Sequence, residues 1–119
     1  MCMEGGTMQL LTKEIREKIP ALYSTEQTPE DDKKVAVKFF TPWTNWTWYA
    51  VEGQPVIAED ANQEIDFEFF GLVDGDFLEW GYFFLSELEG INGPWGLKIE
   101  RDLHFDNMTI GKVKGRSFA

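Results

Sequence analysis

A chain of 119 residues has the length of one ordinary domain, and a composition 43% hydrophobic and 15% aromatic excludes a chain that stays unfolded. The net charge of −10 excludes a generic affinity for DNA, RNA or anionic lipid, all of which attract basic surfaces. A single cysteine, Cys2, excludes a disulfide framework, and with no long apolar run and no signal-like start the expectation is a cytoplasmic protein without membrane association.

In chain order, residues 1–9 read as a flexible start hinged at Gly5-Gly6. Thr12 caps a short helix over Lys13 to Ile19, where Leu11, Ile15 and Ile19 recur every four residues and Pro20 closes the pattern. Glu26 to Lys34 reads as an exposed loop, its acids Glu30, Asp31 and Asp32 partly neutralised by Lys33 and Lys34.

Four strands follow: Val35 to Phe40, Trp46 to Val51, Ile65 to Val73 and Phe77 to Leu85. The last two flank Asp74-Gly75-Asp76, a strong hairpin signal, and Gly81 marks a candidate bulge. Gln54 to Gln63 fits either an acidic loop or a weak strand. Ser86-Glu87-Leu88-Glu89 has the capping-box form and opens a short helix that ends at Gly90 or Gly93. Asn92 to Gly96 is a turn, Leu97 to Phe105 a last strand or irregular return, and 107–119 a mobile basic tail. The expected fold is one α+β domain, its folded part 10–106. It has a mostly antiparallel sheet of four to five strands, an N-terminal helix and a short helix after the central hairpin.

The acidity is concentrated in the middle of the chain. Between Lys38 and Lys98 there is no Lys, Arg or His, yet eleven acids fall there. Asp66 and Glu68 share one strand face, about 7 Å apart from the strand rise alone, and with Asp74, Asp76 and Glu79 they are expected to form a continuous negative surface. As exposed carboxylates, their reversal is expected to leave the fold intact. Phe39 to Tyr49 packs six aromatics into eleven residues. Trp46 and Trp48 alternate onto one face and Tyr49 onto the other, so a sheet covered on one side leaves aromatic surface for an interface.

Chemistry has little to stand on. The only histidine, His104, reads as an outward strand residue and has no second His for a metal pair. Asp74, Asp76 and Glu79 lack the full oxygen ladder of a calcium loop. No phosphate-cradling glycine loop or other cofactor motif occurs, so no enzyme, metal or cofactor is expected.

Leu10-Leu11-Thr12-Lys13-Glu14, Val37-Lys38-Phe39-Phe40-Thr41-Pro42, Trp46-Thr47-Trp48-Tyr49, Phe69-Phe70-Gly71-Leu72-Val73-Asp74-Gly75, Gly81 to Leu88 and Ile99-Glu100-Arg101-Asp102 resemble, in the same order, a family of small domains of unknown function carried on bacterial plasmids, phages and other mobile elements. The resemblance runs from Leu10 to Phe105. It implies a setting in which small acidic proteins inhibit host defence, as antirestriction and anti-CRISPR proteins do, some of them directed at Cas9. The leading expectation is therefore a non-enzymatic inhibitor, with a CRISPR effector or restriction enzyme as its protein partner. The alternative is a structural or scaffolding domain that binds a protein through an aromatic face. A homodimer is as compatible with the aromatic excess as a monomer. In an electrophoretic shift assay at physiological salt, the isolated protein should leave plain duplex and single-stranded DNA unbound; micromolar binding would overturn the charge argument.

Overall fold

The computed structural model describes residues 8–105 and 108–117. Its centre is a five-stranded sheet in the order β4-β3-β2-β1-β5, with every pair antiparallel. The strands are β1 (Val37–Phe40), β2 (Thr47–Ile57), β3 (Glu64–Asp74), β4 (Leu78–Phe84) and β5 (Glu100–Arg101). Three α-helices accompany them, α1 (Lys13–Lys18), α2 (Leu85–Gly90) and α3 (Ile110–Ser117), with single 3-10 turns at Glu30–Asp32 and Pro94–Gly96. The expected α+β class, antiparallel sheet, N-terminal helix and helix after the central hairpin are all present. Among the described residues no helix is long and apolar enough to cross a membrane.

α1 forms as its pattern dictates. Thr12 Oγ1 accepts a hydrogen bond from the Ile15 amide at 3.2 Å, and Leu11, Ile15 and Ile19 are buried on one side. That side packs against one face of the sheet, where Val37, Phe39, Trp48, Ala50, Phe67, Phe69 and Phe83 meet Leu88 and Ile99. Phe69 is the hub: its ring lies 5.4 Å from Phe39 edge-on, 5.4 Å from Phe83 stacked, and 5.0 Å from Phe67. Each such ring contributes about 1.5–3 kcal/mol through removal from water.

The opposite face is covered as well. Val51 and Leu72 pack there under Val35 and under Ile110 and Val113 of α3. This corrects the expectation of a mobile tail over 107–119: 110–117 is helical, and Ile110 and Val113, three residues apart, are fully buried. Lys114 ties the helix down through Glu30 at 3.4 Å and Asp31 at 3.0 Å. The expected flexible start ends early too, because the Met8 sulfur and the Gln9 carbonyl accept hydrogen bonds from the Arg101 amide and guanidinium. Residues 1–7, 106–107 and 118–119 lie outside the described residues.

β2 and β3 form the longest pairing. β2 runs through Pro55, resolving the open reading of Gln54 to Gln63 in favour of a strand as far as Ile57. Pro55 is tolerated because β1 stops pairing at Ala50 and leaves that side of β2 without a neighbour. On the other side β4 stops at Glu68, so the β2–β3 ribbon continues unflanked to Ile57 and Glu64. The bulge falls in β2, between Ala50 and Glu52, and not at Gly81, which pairs in regular register with Gly71. It brings Val51 and Glu52 onto the same face, both buried.

Ser86 does not cap α2: the helix starts at Leu85, and the Glu87 carboxylate accepts from the Phe84 amide at 2.8 Å. The stretch from Leu97 to Phe105 contributes only the two-residue β5, and His104 sits in an exposed turn beyond it, not on a strand.

The two paired glycines differ sharply. A Cβ at Gly71 would lie 2.0 Å from the Tyr49 carbonyl oxygen, whereas one at Gly81 would meet nothing within 4 Å. In urea denaturation Gly71→Ala should cost at least about 3 kcal/mol, and Gly81→Ala should stay within about 0.5 kcal/mol of the parent.

Candidate interaction surface

At one end of the sheet β1 ends, β2 begins, β3 ends and β4 begins, so two turns lie side by side. The β1–β2 turn is closed by Thr41 N to Trp46 O at 3.0 Å, by paired Thr41 and Thr44 hydroxyls, and by Trp46 N to Thr44 Oγ1 at 3.2 Å. Trp46 leans across to the β3–β4 turn, where a Cβ at Gly75 would come within 2.5 Å of its ring. Trp43, from the same turn, lies over Gly93, where a Cβ would come within 2.6 Å. Glycine is required at both sites because an indole occupies the space of the side chain.

The Asn92 to Gly96 turn is thereby joined to this end. It is held by Gly93 N to Leu97 O at 2.8 Å and by the Lys98 ammonium donating to the Asn92 side-chain oxygen. At its tip Trp95 has φ 56° and ψ 30°, followed by Gly96 at φ 76°. A non-glycine residue in the left-handed region is strained by about 1–2 kcal/mol. Trp95 is also 94% exposed, and Phe77 of the β3–β4 turn is 75% exposed. Large apolar rings displayed on tightly braced turns have the character of an interface.

The residues expected to form the interface divide between this end and elsewhere. Trp46 is here, 38% exposed, its ring 5.8 Å from that of Trp48. Trp48 is a core residue, 7% exposed. Tyr49 points to the opposite face, half-buried, with the Lys38 ammonium 5.8 Å from its ring centre. Asp74 ends β3, opposite Thr47 and Leu78, and Asp76 is exposed in the following turn. Glu79 is exposed on the face that carries Val73, the reverse of the Asp74 face.

Asp66 and Glu68 do share a face, as their alternation requires, but they lie toward the other end of β3. From Asp66 to Asp74 the strand rise amounts to about 26 Å. Phe70 and Leu72 stand between them, so the five acids do not make one continuous surface. Asp66 is moreover committed internally. Its Oδ1 accepts from the Phe67 amide at 2.8 Å and the Ser86 amide at 3.1 Å, and its Oδ2 from the Ser86 hydroxyl at 2.6 Å. It therefore pins the first turn of α2 to β3, and reversing its charge would break that joint.

Trp95, Phe77 and Trp43 escaped the sequence reading. Phe77 was expected inside a strand that begins one residue later, at Leu78. The signal for Trp95 was present in Asn92-Gly93-Pro94-Trp95-Gly96, a tryptophan between turn formers with no strand or helix to bury it. Among the described residues no group of three or more His, Cys, Asp or Glu side chains is placed to hold a metal ion.

Comparison with known proteins adds one finding. Residues 10–111 match the model of a family described as "Protein of unknown function (DUF2958)", and the chain belongs to that family. No curated protein and no solved structure matches it.

Burial raises the Asp66 carboxyl, but the hydrogen bonds from the Ser86 hydroxyl and from the Phe67 and Ser86 amides outweigh it and hold the group below its ordinary value. A depressed folded-state value means stabilisation that is complete above the unfolded-state value of about 3.9 and disappears as pH falls through the folded one. Asp66→Ala should thus cost about 0.5–1.5 kcal/mol at pH 7, solvent screening keeping the effect modest, with the gap to the parent closing as the pH falls below about 4. A gap independent of pH across that window would show that the carboxylate's charge plays no part.

Proposed function

We propose that this member of the DUF2958 family is a non-enzymatic binding protein that docks onto a basic protein surface through its aromatic end. The observation that carries the reading is Trp95, a nearly fully exposed indole held in a left-handed conformation on a braced turn. Strain and exposure are both unfavourable in the free chain, and burial of the ring against a partner offsets the second. Tryptophan anchors fixed before binding are typical of the few residues that carry most of an interface's energy.

Asp74, Asp76 and Glu79 lie beside this end, in a stretch that holds no base from Phe39 to Leu97. Such a fringe favours a partner rich in Lys and Arg and accelerates the encounter. Basic clefts are the mark of enzymes that handle nucleic acid. Together with the resemblance to mobile-element proteins, this supports an inhibitor of a nucleic-acid-dependent defence enzyme, a restriction enzyme or a CRISPR effector. The exposure of Phe77 and Trp95 equally favours the scaffolding reading, in which the partner is bound without loss of activity.

The decisive variant is Trp95→Gly. Glycine adopts the left-handed conformation freely, so the variant should be more stable than the parent by about 1 kcal/mol. Its affinity for a partner recovered from host lysate should nevertheless fall roughly thirtyfold. Calorimetry and surface plasmon resonance measure the two quantities, and an activity assay on the recovered partner separates inhibitor from scaffold. A variant that binds as tightly as the parent would remove the aromatic end from consideration.

A further inference from the structure

We infer that the cavity between the 20–34 segment and the sheet is a binding site for a small organic anion. The cavity has a volume of about 380 Å³, within the range of small-molecule sites. Its walls on the sheet side are apolar: Val35, Ala36 and Val51, with Pro20 opposite. Three cations line it, Lys18 at the end of α1 and Lys33 and Lys34 ahead of β1, alongside the hydroxyls of Thr25 and Thr28. The one acid in the lining is Asp32.

That convergence runs against the composition of the chain. There are 21 acids and 11 Lys and Arg in all, whereas the lining holds Lys18, Lys33 and Lys34 against the single acid Asp32. Lys18 and Lys34, like Lys13, Lys98 and Lys112, make no ion pair with any described carboxylate, so both ammonium groups are open to a ligand. Lys33 is only 9% exposed, and its ammonium donates to the Thr25 carbonyl and hydroxyl, which leaves its third N–H for another acceptor. The nearest buried carboxylate, Glu52, is occupied: Oε1 accepts from the Tyr23 amide, and Oε2 from the Thr25 amide and hydroxyl.

The chemistry that fits is an anionic head placed between Lys18 and Lys34, within reach of the inner Lys33, and a flat apolar body resting on Val35, Ala36 and Val51. Phosphate and carboxylate heads share this chemistry. Neutral aromatics satisfy only the wall, and inorganic phosphate only the head.

The test uses the full chain, with amide NMR as the readout and phenyl phosphate, benzoate, inorganic phosphate and phenol as probes. Phenyl phosphate or benzoate should shift the Val35, Ala36 and Val51 amides saturably, and whichever binds more tightly identifies the head group. Inorganic phosphate and phenol should bind at least tenfold more weakly than the better of the two. The double variant Lys18→Gln, Lys34→Gln changes two exposed side chains and should keep the parent spectrum elsewhere while weakening that binding at least tenfold. Absence of saturable shifts with both aromatic anions, or shifts that the double variant leaves unchanged, would overturn the assignment.

Discussion

One buried carboxylate ties the 20–34 segment to the sheet. Glu52, 3% exposed, is turned onto its face of the sheet by the bulge in β2. There it accepts two backbone amides and a hydroxyl from Tyr23 and Thr25. A buried carboxylate without such donors would cost several kcal/mol, and the 20–34 segment has no apolar stripe that would hold it down unaided. Each therefore depends on the other. Thr25 passes the connection to Lys33, and Gly53 N to Pro20 O at 2.9 Å secures the segment's other end. From Lys33 and Lys34 the chain then makes backbone contacts with Ile110 and Thr109, which set the position of α3.

How much of this was legible in the sequence depended on whether the signal was local. Thr12, with apolar residues every fourth position after Leu11, specified α1, and Asp74-Gly75 specified the central hairpin. Alternation correctly put Asp66 beside Glu68. α3 was missed because, among the described residues, its buried face consists of Ile110 and Val113, set among lysines and glycines, and a helix so thinly apolar exists only where another surface receives it. Glu52 is one of the eleven acids of the base-free stretch, and nothing adjacent in sequence shows that a bulge turns it inward. The expected continuous acidic surface fails for a geometric reason: five acids clustered around a turn in sequence are spread along an eleven-residue strand and over two faces of a sheet. Fold class thus followed from pattern, whereas the site required knowing which ends and faces the long-range pairing brings together.

The aromatic end is built so that its most exposed rings, Phe77 and Trp95, stand on turns braced by other rings. Trp43 and Trp46 fill the space above two glycines and fasten three turns to one another, and Trp48 anchors Trp46 to the core. Phe77 and Trp95 are then presented from turns with little freedom left to lose. That division between bracing indoles and displayed ones accounts for an aromatic content larger than the core alone uses.

The unflanked ribbon of β2 and β3 has a consequence for how copies of this chain behave at high concentration. Two strands that outrun their neighbours leave backbone donors and acceptors along both edges, with Ile57 and Ile65 exposed beside them, and such edges template fibre-like stacking. Pro55 removes one donor from one edge, and on the other strand Asp66 and Glu68 share a face, while Glu64 is paired to Arg16. A second copy laid edge to edge would set like charge against like charge. The carboxylates of Asp66 and Glu68, whatever they offer a partner, thereby act as gatekeepers against aggregation of this β-prone ribbon.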